Sequence, residues 1–192
     1  MKIDLLNIAT ELKTNKDEEM KTLIALASTI AMLATPALAQ DMRSTHATIS
    51  GNGVSGTVTV AETASGMAHM TIDIKGVPAG AHGFHVHEKG VCDADDGFKS
   101  AGGHLSGGMN HGVEDSNGPH AGDLPNLHAG EDGIVQVEYF TDGFSLDPDA
   151  SPTISGPNGA AVILHAGADD YASQPSGDAG DRLACGVLYP PQ

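Results

Sequence analysis

Residues 83–87 read GFHVH and begin a segment, ending at Asp123, around which the rest of the chain is organised. In a β-strand, residues two apart share a face, so His85 and His87 point the same way, while the residues that alternate with them face a hydrophobic core. Imidazole nitrogen is a common ligand of zinc and copper. The pattern therefore predicts a strand that packs with one face and binds a transition metal with the other.

The same segment continues as a polar, glycine-rich stretch from His104 to Asp123, which also contains His111 and His120. A stretch of this length without secondary structure is uncommon inside a compact domain unless it is functional or held in place. Its three imidazoles and its terminal carboxylate suit a metal ion. We therefore expect a metal to hold this loop.

The composition sets the broad class. The chain has 192 residues, a formal net charge of −16, 25 glycines, no tryptophan and only 4% aromatic residues. This composition is poor for long helices and natural for short strands joined by tight turns. The strong negative charge argues against nucleic acid as a partner.

The N-terminal region has the pattern of an export signal. Met20 begins a short basic start, residues 22–34 are apolar, and residues 37–39 (ALA) form a small-x-small cleavage site. The apolar run is short for a membrane span and polar sequence follows it, so a membrane anchor is the less favoured alternative. We expect export to the periplasm or the extracellular space, without stable membrane insertion after processing.

Residues 1–19 do not fit a signal peptide, because they end in three acidic residues. We interpret residues 1–19 as a non-native upstream extension, 20–39 as the signal peptide and 40–192 as one domain. Removal of residues 1–39 takes away five acidic and four basic residues. The mature chain then has 20 acidic and 5 basic residues and a net charge of −15.

After the leader, apolar and polar residues alternate with a period of two, the pattern of half-buried strands. Residues 54–60 and 68–75 form a predicted hairpin across the turn 63–66. Further strands are predicted over residues 81–88, 124–129, 134–140, 160–165 and 183–188. About eight short strands without a helical period predict an all-β fold, an eight-stranded Greek-key β-barrel or sandwich with long metal-binding and active-site loops.

Strand alternation also sorts the remaining histidines. His82 falls in step with the core-facing residues and is interpreted as a buried, hydrogen-bonded histidine, whereas His46, His69 and His128 fall on polar faces exposed to solvent. His165 ends a predicted strand on the face that loops can cover. Because His85 and His87 need further nitrogen ligands, His165 is a candidate ligand.

Six blocks of the sequence carry a family resemblance. They are GFHVHE (83–88), AGGH (101–104), NHG (110–112), HAGDL (120–124), LH (164–165) and GDRLACGV (180–187). Together, in this order, they resemble the copper–zinc superoxide dismutases of the exported bacterial type. The resemblance implies one copper and one zinc ion per subunit and dismutation of superoxide to dioxygen and hydrogen peroxide.

The resemblance also implies a role for individual residues. Copper would be bound by His85, His87, His104 and His165. Zinc would be bound by His104, His111, His120 and Asp123, so that His104 bridges the two metals and is catalytic. Asp169 resembles the carboxylate that links ligand histidines of both metals.

Arg182 resembles the arginine that holds superoxide near copper, a role that suits a permanently charged guanidinium. Cys92 and Cys185 are an even count in an exported chain, which favours one disulfide. The loop 166–181 contains four aspartates and no lysine, unlike the family's steering loop. Lys99, five residues before His104, is a candidate for steering the anion.

Alternatives from other classes remain open on the sequence. One is an exported copper- and zinc-binding protein without turnover, against which the complete ligand set and Arg182 argue. Another is a secreted β-sandwich adhesion module, which does not explain the ordered histidines. Leu105 stands where many bacterial members have an aromatic residue, so monomer and homodimer both remain open.

Overall fold

The structure is a computed structural model that describes residues 42–192. The predicted extension over residues 1–19 and the predicted signal peptide over residues 20–39 lie outside the described residues. Within residues 42–192, no helix has the length and apolar character needed to cross a membrane.

The described part of the chain is an all-β domain of eight strands and one 3₁₀ turn, at Lys99–Ala101. The strands are β1 (Ser44–Gly51), β2 (Val54–Glu62), β3 (Ala68–Lys75), β4 (Gly80–His87), β5 (Asp123–Ala129), β6 (Val135–Thr141), β7 (Ala160–His165) and β8 (Arg182–Tyr189). Seven of them lie within two residues of the spans predicted from period-two alternation, and β1 is the additional strand. The predicted all-β fold is confirmed.

The strands form one antiparallel sheet in the order β5-β4-β7-β8-β1-β2-β3-β6. Its two edge strands approach each other, and the Tyr139 hydroxyl on β6 donates to the carbonyl oxygen of Pro125 on β5 at 3.1 Å. The sheet is thus a nearly closed barrel. The connections from β3 to β4 and from β6 to β7 cross it, as in a Greek key.

One face of each strand fills the barrel. On β3, Met70, Ile72 and Ile74 are buried and the residues between them are exposed or half-buried. On β4, Phe84 and Val86 join the same core, as predicted. Burial of these apolar side chains is the main source of stability, at about 1.5–3 kcal/mol for each large side chain.

Two loops meet over the outer face of β4. The first loop (residues 88–122) joins β4 to β5, and the second loop (residues 166–181) joins β7 to β8. The first loop returns to β4, where the Leu105 N–H donates to the Val86 carbonyl at 2.8 Å and the Val86 N–H to the Gly122 carbonyl at 2.9 Å. A Cβ on Gly122 would collide with that Val86 carbonyl, so this close approach requires glycine.

Candidate metal centre

Four histidines meet under the two loops, and we call them the strand group: His85, His87, His104 and His165. Three of them lie on β4 and at the end of β7, and the fourth, His104, pairs with His87 through an isolated β-bridge. All four are at most 7% exposed. Their candidate ligand nitrogens lie within 4.8 Å of one another.

Each ring of the strand group has one nitrogen in a hydrogen bond and one without a partner. His85 Nε2 donates to Asp169 Oδ2 at 2.7 Å, His87 Nδ1 to the Gly102 carbonyl at 3.1 Å, and His165 Nδ1 to the Gly180 carbonyl at 3.3 Å. The nitrogens without a partner are His85 Nδ1, His87 Nε2, His104 Nε2 and His165 Nε2. Four buried lone pairs sharing one space are costly unless an ion binds them, so this donor set fits a transition metal.

The second cluster is the loop group, consisting of His104, His111, His120 and Asp123. Its three histidines present Nδ1 to the Asp123 carboxylate, at 2.9 Å for His104, 3.1 Å for His111 and 3.2 Å for His120. A tetrahedron with metal–ligand bonds of about 2.0–2.1 Å has edges of about 3.3 Å. The distances run to Oδ1 for His104 and His120 and to Oδ2 for His111, so three nitrogens and a carboxylate close enough to share one ion fit zinc.

His104 belongs to both groups. Its Nδ1 faces Asp123 in the loop group, and its Nε2 faces the strand group without a hydrogen-bond partner. Its ring centroid lies 4.0 Å from that of His85 and 5.2 Å from that of His111. One imidazole can therefore offer a nitrogen to each of two metals.

Burial keeps His87, His104 and His165 neutral. Desolvation lowers the pKa of His104 to about 4, although the hydrogen bond with Asp123 opposes this effect. Desolvation, followed by the nearby His85, lowers the pKa of His165 to about 3. The pKa of His87 is lowered by burial and then by His104 and Arg182. At neutral pH these rings therefore keep the lone pairs that a metal requires.

Asp169 joins the two groups. Its Oδ2 accepts from His85 at 2.7 Å and its Oδ1 accepts from His111 Nε2 at 3.0 Å. Burial alone would raise the pKa of Asp169, but hydrogen bonds from His85, the Tyr171 N–H and His111 lower it to about 2. The carboxylate is therefore ionised and holds one ring of each group in a fixed orientation.

Asn126 on β5 holds Asp169 and was not among the candidate residues. Its side-chain Nδ2 donates to the Asp169 carbonyl, and its Oδ1 accepts the Asp169 N–H, both at 2.8 Å. A polar residue at a buried strand position, three residues after Asp123, is the only sequence signal for this role. This pair of hydrogen bonds fixes the backbone of the second loop against the barrel.

Two further residues connect the loops and were also missed. The Gln174 side chain accepts the His111 N–H at 2.9 Å and donates to the His111 carbonyl at 2.8 Å. Gly177 has φ +69°, and a Cβ there would collide with Asp169 Oδ1 and lie 2.6 Å from His111 Nε2. The second loop thus closes tightly over Asp169, which sequence spacing alone does not reveal.

A cleft of about 380 Å³ opens beside the strand group. It is lined by Gly103, His104, His120, His165, Pro175, Ser176, Gly180 and Arg182. The Arg182 guanidinium donates to two carbonyl oxygens, those of Phe98 at 2.6 Å and Gly102 at 2.7 Å. Since these acceptors are neutral, its positive charge is available to an anion in the cleft.

The remaining candidate residues are placed as follows. Cys92 and Cys185 form a disulfide with a Cα–Cα distance of 5.7 Å, which ties the first loop to β8. Lys99 is exposed on the 3₁₀ turn of the first loop.

The other histidines lie outside both groups. His82 is buried, with its ring nitrogens 2.9 Å from the His165 carbonyl and 2.8 Å from the Pro78 carbonyl, as predicted. His46 and His128 are exposed. The solvated interpretation of His69 is incomplete, because its ring stacks on Phe140 with centroids 4.6 Å apart and contacts Glu138 at 3.1 Å.

Comparison with known proteins gives a consistent result. A family model described as "Copper/zinc superoxide dismutase (SODC)" matches residues 54–188. The chain is 36% identical to "Superoxide dismutase [Cu-Zn] 2" of Aquifex aeolicus, over 88% of this chain and 99% of that protein. It is 38% identical to "Superoxide dismutase [Cu-Zn]" of Caulobacter vibrioides, over 69% and 77% of the two chains.

Among solved structures, the chain is similar to a crystal structure of a SOD-like protein from Bacillus subtilis. The TM-score is 0.69 with 35% sequence identity, over 77% of this chain and 99% of that chain. The similarity thus covers both the sequence and the barrel.

Proposed function

This chain belongs to the copper/zinc superoxide dismutase family, and we propose on that basis that the strand group binds copper and the loop group binds zinc. The protein is an oxidoreductase with copper and zinc as cofactors, and it converts superoxide to dioxygen and hydrogen peroxide. The observation that carries the assignment is the position of His104, which presents one nitrogen to each group.

The donor sets distinguish the two metals. The strand group offers only imidazole nitrogens and lies beside the cleft, so a metal there can be approached by a small anion. The loop group offers three nitrogens and one carboxylate, a closed set typical of structural zinc. Zinc has no redox chemistry, so electron transfer belongs to the strand group.

Copper, when bound, supplies one-electron oxidation and reduction, so that one superoxide leaves as dioxygen and a second, with two protons, leaves as hydrogen peroxide. Arg182 binds the incoming anion, because its guanidinium lines the cleft with its charge uncompensated by the two carbonyls it contacts. His104 Nε2 is the ring nitrogen that can hold a proton for the reduced product. Asp169 positions His85 and His111 relative to each other.

We also propose that the mature protein is exported and begins near Gln40, after removal of residues 20–39. The Cys92–Cys185 disulfide supports an oxidising compartment, since disulfides persist there and are rare in reducing cytosol. Intact-mass measurement of exported protein is expected to give a chain without residues 1–39. A mature protein that retains Lys2 would contradict this processing. Sedimentation of the same sample decides between monomer and homodimer.

The metal assignment is tested by metal analysis together with dismutation rate on the purified mature chain. We expect one copper and one zinc per chain and catalysed dismutation, with both retained in the His128→Ala control, which removes an exposed histidine outside both groups. Stoichiometric metals without turnover would instead support a copper- and zinc-binding protein. A chain that binds neither metal would contradict the proposal.

A further inference from the structure

A second, smaller core lies outside the barrel, under the first loop. It consists of Phe98, Ala101, Ala161, Ile163 and Cys185, with Cys92 packed against it. On β7, Ile163 alternates with Val162 and Leu164, which face the main core. The outer face of β7 and β8 is thus apolar next to Cys185 and is covered by the first loop. Phe98 is the only large aromatic side chain in this small core and is 5% exposed.

Phe98 adopts a backbone conformation that bulky residues avoid. Its φ of 62° and ψ of 19° lie in the left-handed region, where the Cβ crowds the backbone. Such a conformation persists only where the surroundings enforce it, and it is often found at functional sites. A phenylalanine in this conformation places an aromatic ring in the small core, which glycine would leave unfilled.

The Phe98 ring packs closely against Gly51. A Cβ on Gly51, the last residue of β1, would lie 2.8 Å from Phe98 Cζ, so the ring rests directly on that glycine. The next residue, Asn52, lies in the turn between β1 and β2 and is fixed to β8, because its Nδ2 donates to the Leu183 carbonyl at 2.9 Å. The ring therefore sits between the small core and a turn that is tied to the residue after Arg182.

The Phe98 carbonyl is the acceptor for Arg182 Nη1 at 2.6 Å, and Gly102, which ends the same 3₁₀ turn, accepts from Nη2 at 2.7 Å. The left-handed backbone of Phe98 directs this carbonyl. The disulfide alone does not fix it, since Cys92 is six residues earlier and residues 93–97 between them are exposed. The Phe98 N–H is held separately, by the Asp93 carbonyl at 2.8 Å.

From these contacts we propose that Phe98 is a positioning residue for Arg182. The ring, anchored in the small core and on Gly51, holds a carbonyl that fixes the guanidinium at the edge of the cleft. This inference rests on the anion-binding role proposed for Arg182, but the position of Arg182 can be measured independently of that role. The proposal gives a function to the small core, which contains none of the metal-binding residues.

The experiment uses the two arginines of the chain, Arg43 and Arg182. Phenylglyoxal modifies accessible guanidinium groups, and peptide mass mapping gives the modification rate at each arginine. Arg43 lies at the surface beside Glu62 and Asp147, so it is an internal reference. The measurement is made on the metal-loaded protein and requires no turnover.

Phe98→Ala is expected to raise the Arg182-to-Arg43 rate ratio several-fold, and Phe98→Leu to restore most of the original ratio. The matched control is Phe144→Ala, which removes an equally buried ring, 3% exposed, from the main core. It should lower stability and leave the ratio unchanged. Equal ratios in Phe98→Ala and Phe144→Ala would overturn the proposal.

A second variant tests the same arrangement if Phe98→Ala does not fold. Asn52→Asp keeps a residue that tolerates positive φ but replaces the donor to Leu183 with a carboxylate oxygen. The Arg182-to-Arg43 ratio is expected to rise less than in Phe98→Ala. An unchanged ratio would contradict the proposed support of the Phe98 ring by Gly51 and the adjoining turn. Loss of dismutation in Arg182→Ala tests the anion role separately, so a retained rate there would contradict that role and leave the positioning result intact.

Discussion

The strand group and the loop group share His104 but are organised in different ways. In the strand group, His85, His87 and His165 stand on strands of the barrel, and their second nitrogens bond to Asp169 or to backbone carbonyls. In the loop group, the histidines stand on the first loop and face Asp123, at the start of β5. The sheet therefore organises one site in advance, whereas the other site organises the loop that contains it.

The largest expected effect is on catalysis and separates the two groups. His85→Ala removes a ligand of the strand group alone, so dismutation should be abolished while zinc remains bound. Metal content by mass spectrometry and the dismutation rate measure both outcomes, with His128→Ala as the control. If His85→Ala lost zinc and copper equally, the division into two sites would be wrong.

Asp123→Ala should act mainly on stability. It removes the carboxylate that three Nδ1 atoms face. Burial alone would raise the pKa of Asp123, but the hydrogen bonds with His104 and the Gly112 N–H, together with the nearby His111, lower it. Breaking a buried charged cluster costs about 3–5 kcal/mol, on the order of 10 °C in Tm for a chain of this size. Calorimetry should show this loss together with weaker zinc binding, and Asp73→Ala, at an exposed position, is the control. A Tm equal to that of the control would contradict the organising role of the loop group.

Acid should destabilise the metal-free protein through the buried histidines. The pKa values of His104 and His165 in the folded protein, about 4 and about 3, lie below the ordinary value of 6.5. Between these limits the unfolded chain binds more protons, so stability is lost as the pH falls from about 6.5. At pH 5, each of the two histidines lowers the free energy of unfolding by on the order of 2 kcal/mol.

Urea denaturation of the metal-free protein at pH 7 and pH 5 measures this effect. His165→Gln should reduce the difference, and His46→Gln, at an exposed position, should not. If the loss of stability between pH 7 and pH 5 were the same in the unmodified protein and in both variants, the acid sensitivity would not arise from His165.

The smallest expected effect concerns delivery of the anion to the strand group. The mature chain has a net charge of −15, so fast turnover requires a local positive focus. We propose that Lys99, exposed on the first loop, contributes to it beside Arg182. Lys99→Glu should lower the rate several-fold at low ionic strength, and salt should reduce the difference, since the Debye length is roughly 10 Å at 0.1 M.

Lys75→Glu is the matched control for Lys99, because it makes the same charge change at an exposed position of β3. Arg182→Ala should lower the rate more than Lys99→Glu, and part of that loss should persist in salt because Arg182 also binds the anion. Equal dismutation rates for the two lysine variants at low salt would contradict a steering role for Lys99 and leave that role to Arg182.

The sequence predicted the parts of the site that strand alternation controls. His85 and His87 share a face because β4 is extended, and Phe84 and Val86 occupy the core for the same reason. The positions of Asn126, Gln174 and Phe98 were not predictable in this way. Their contacts are hydrogen bonds and packing between segments far apart in the chain, which no local period encodes.

By itself, the sequence predicted seven of the eight strands and the strong negative charge, because period-two patterning and composition are local properties, and the family resemblance implied the two donor sets. Only the tertiary structure decided that the loops fold back onto β4 and that the Phe98 carbonyl holds Arg182. These features depend on which segments the crossing connections bring to the same side of the barrel. The identity of the ligand residues can be predicted along the chain, whereas the orientation of each ring nitrogen and carbonyl depends on contacts between segments that are far apart in the sequence.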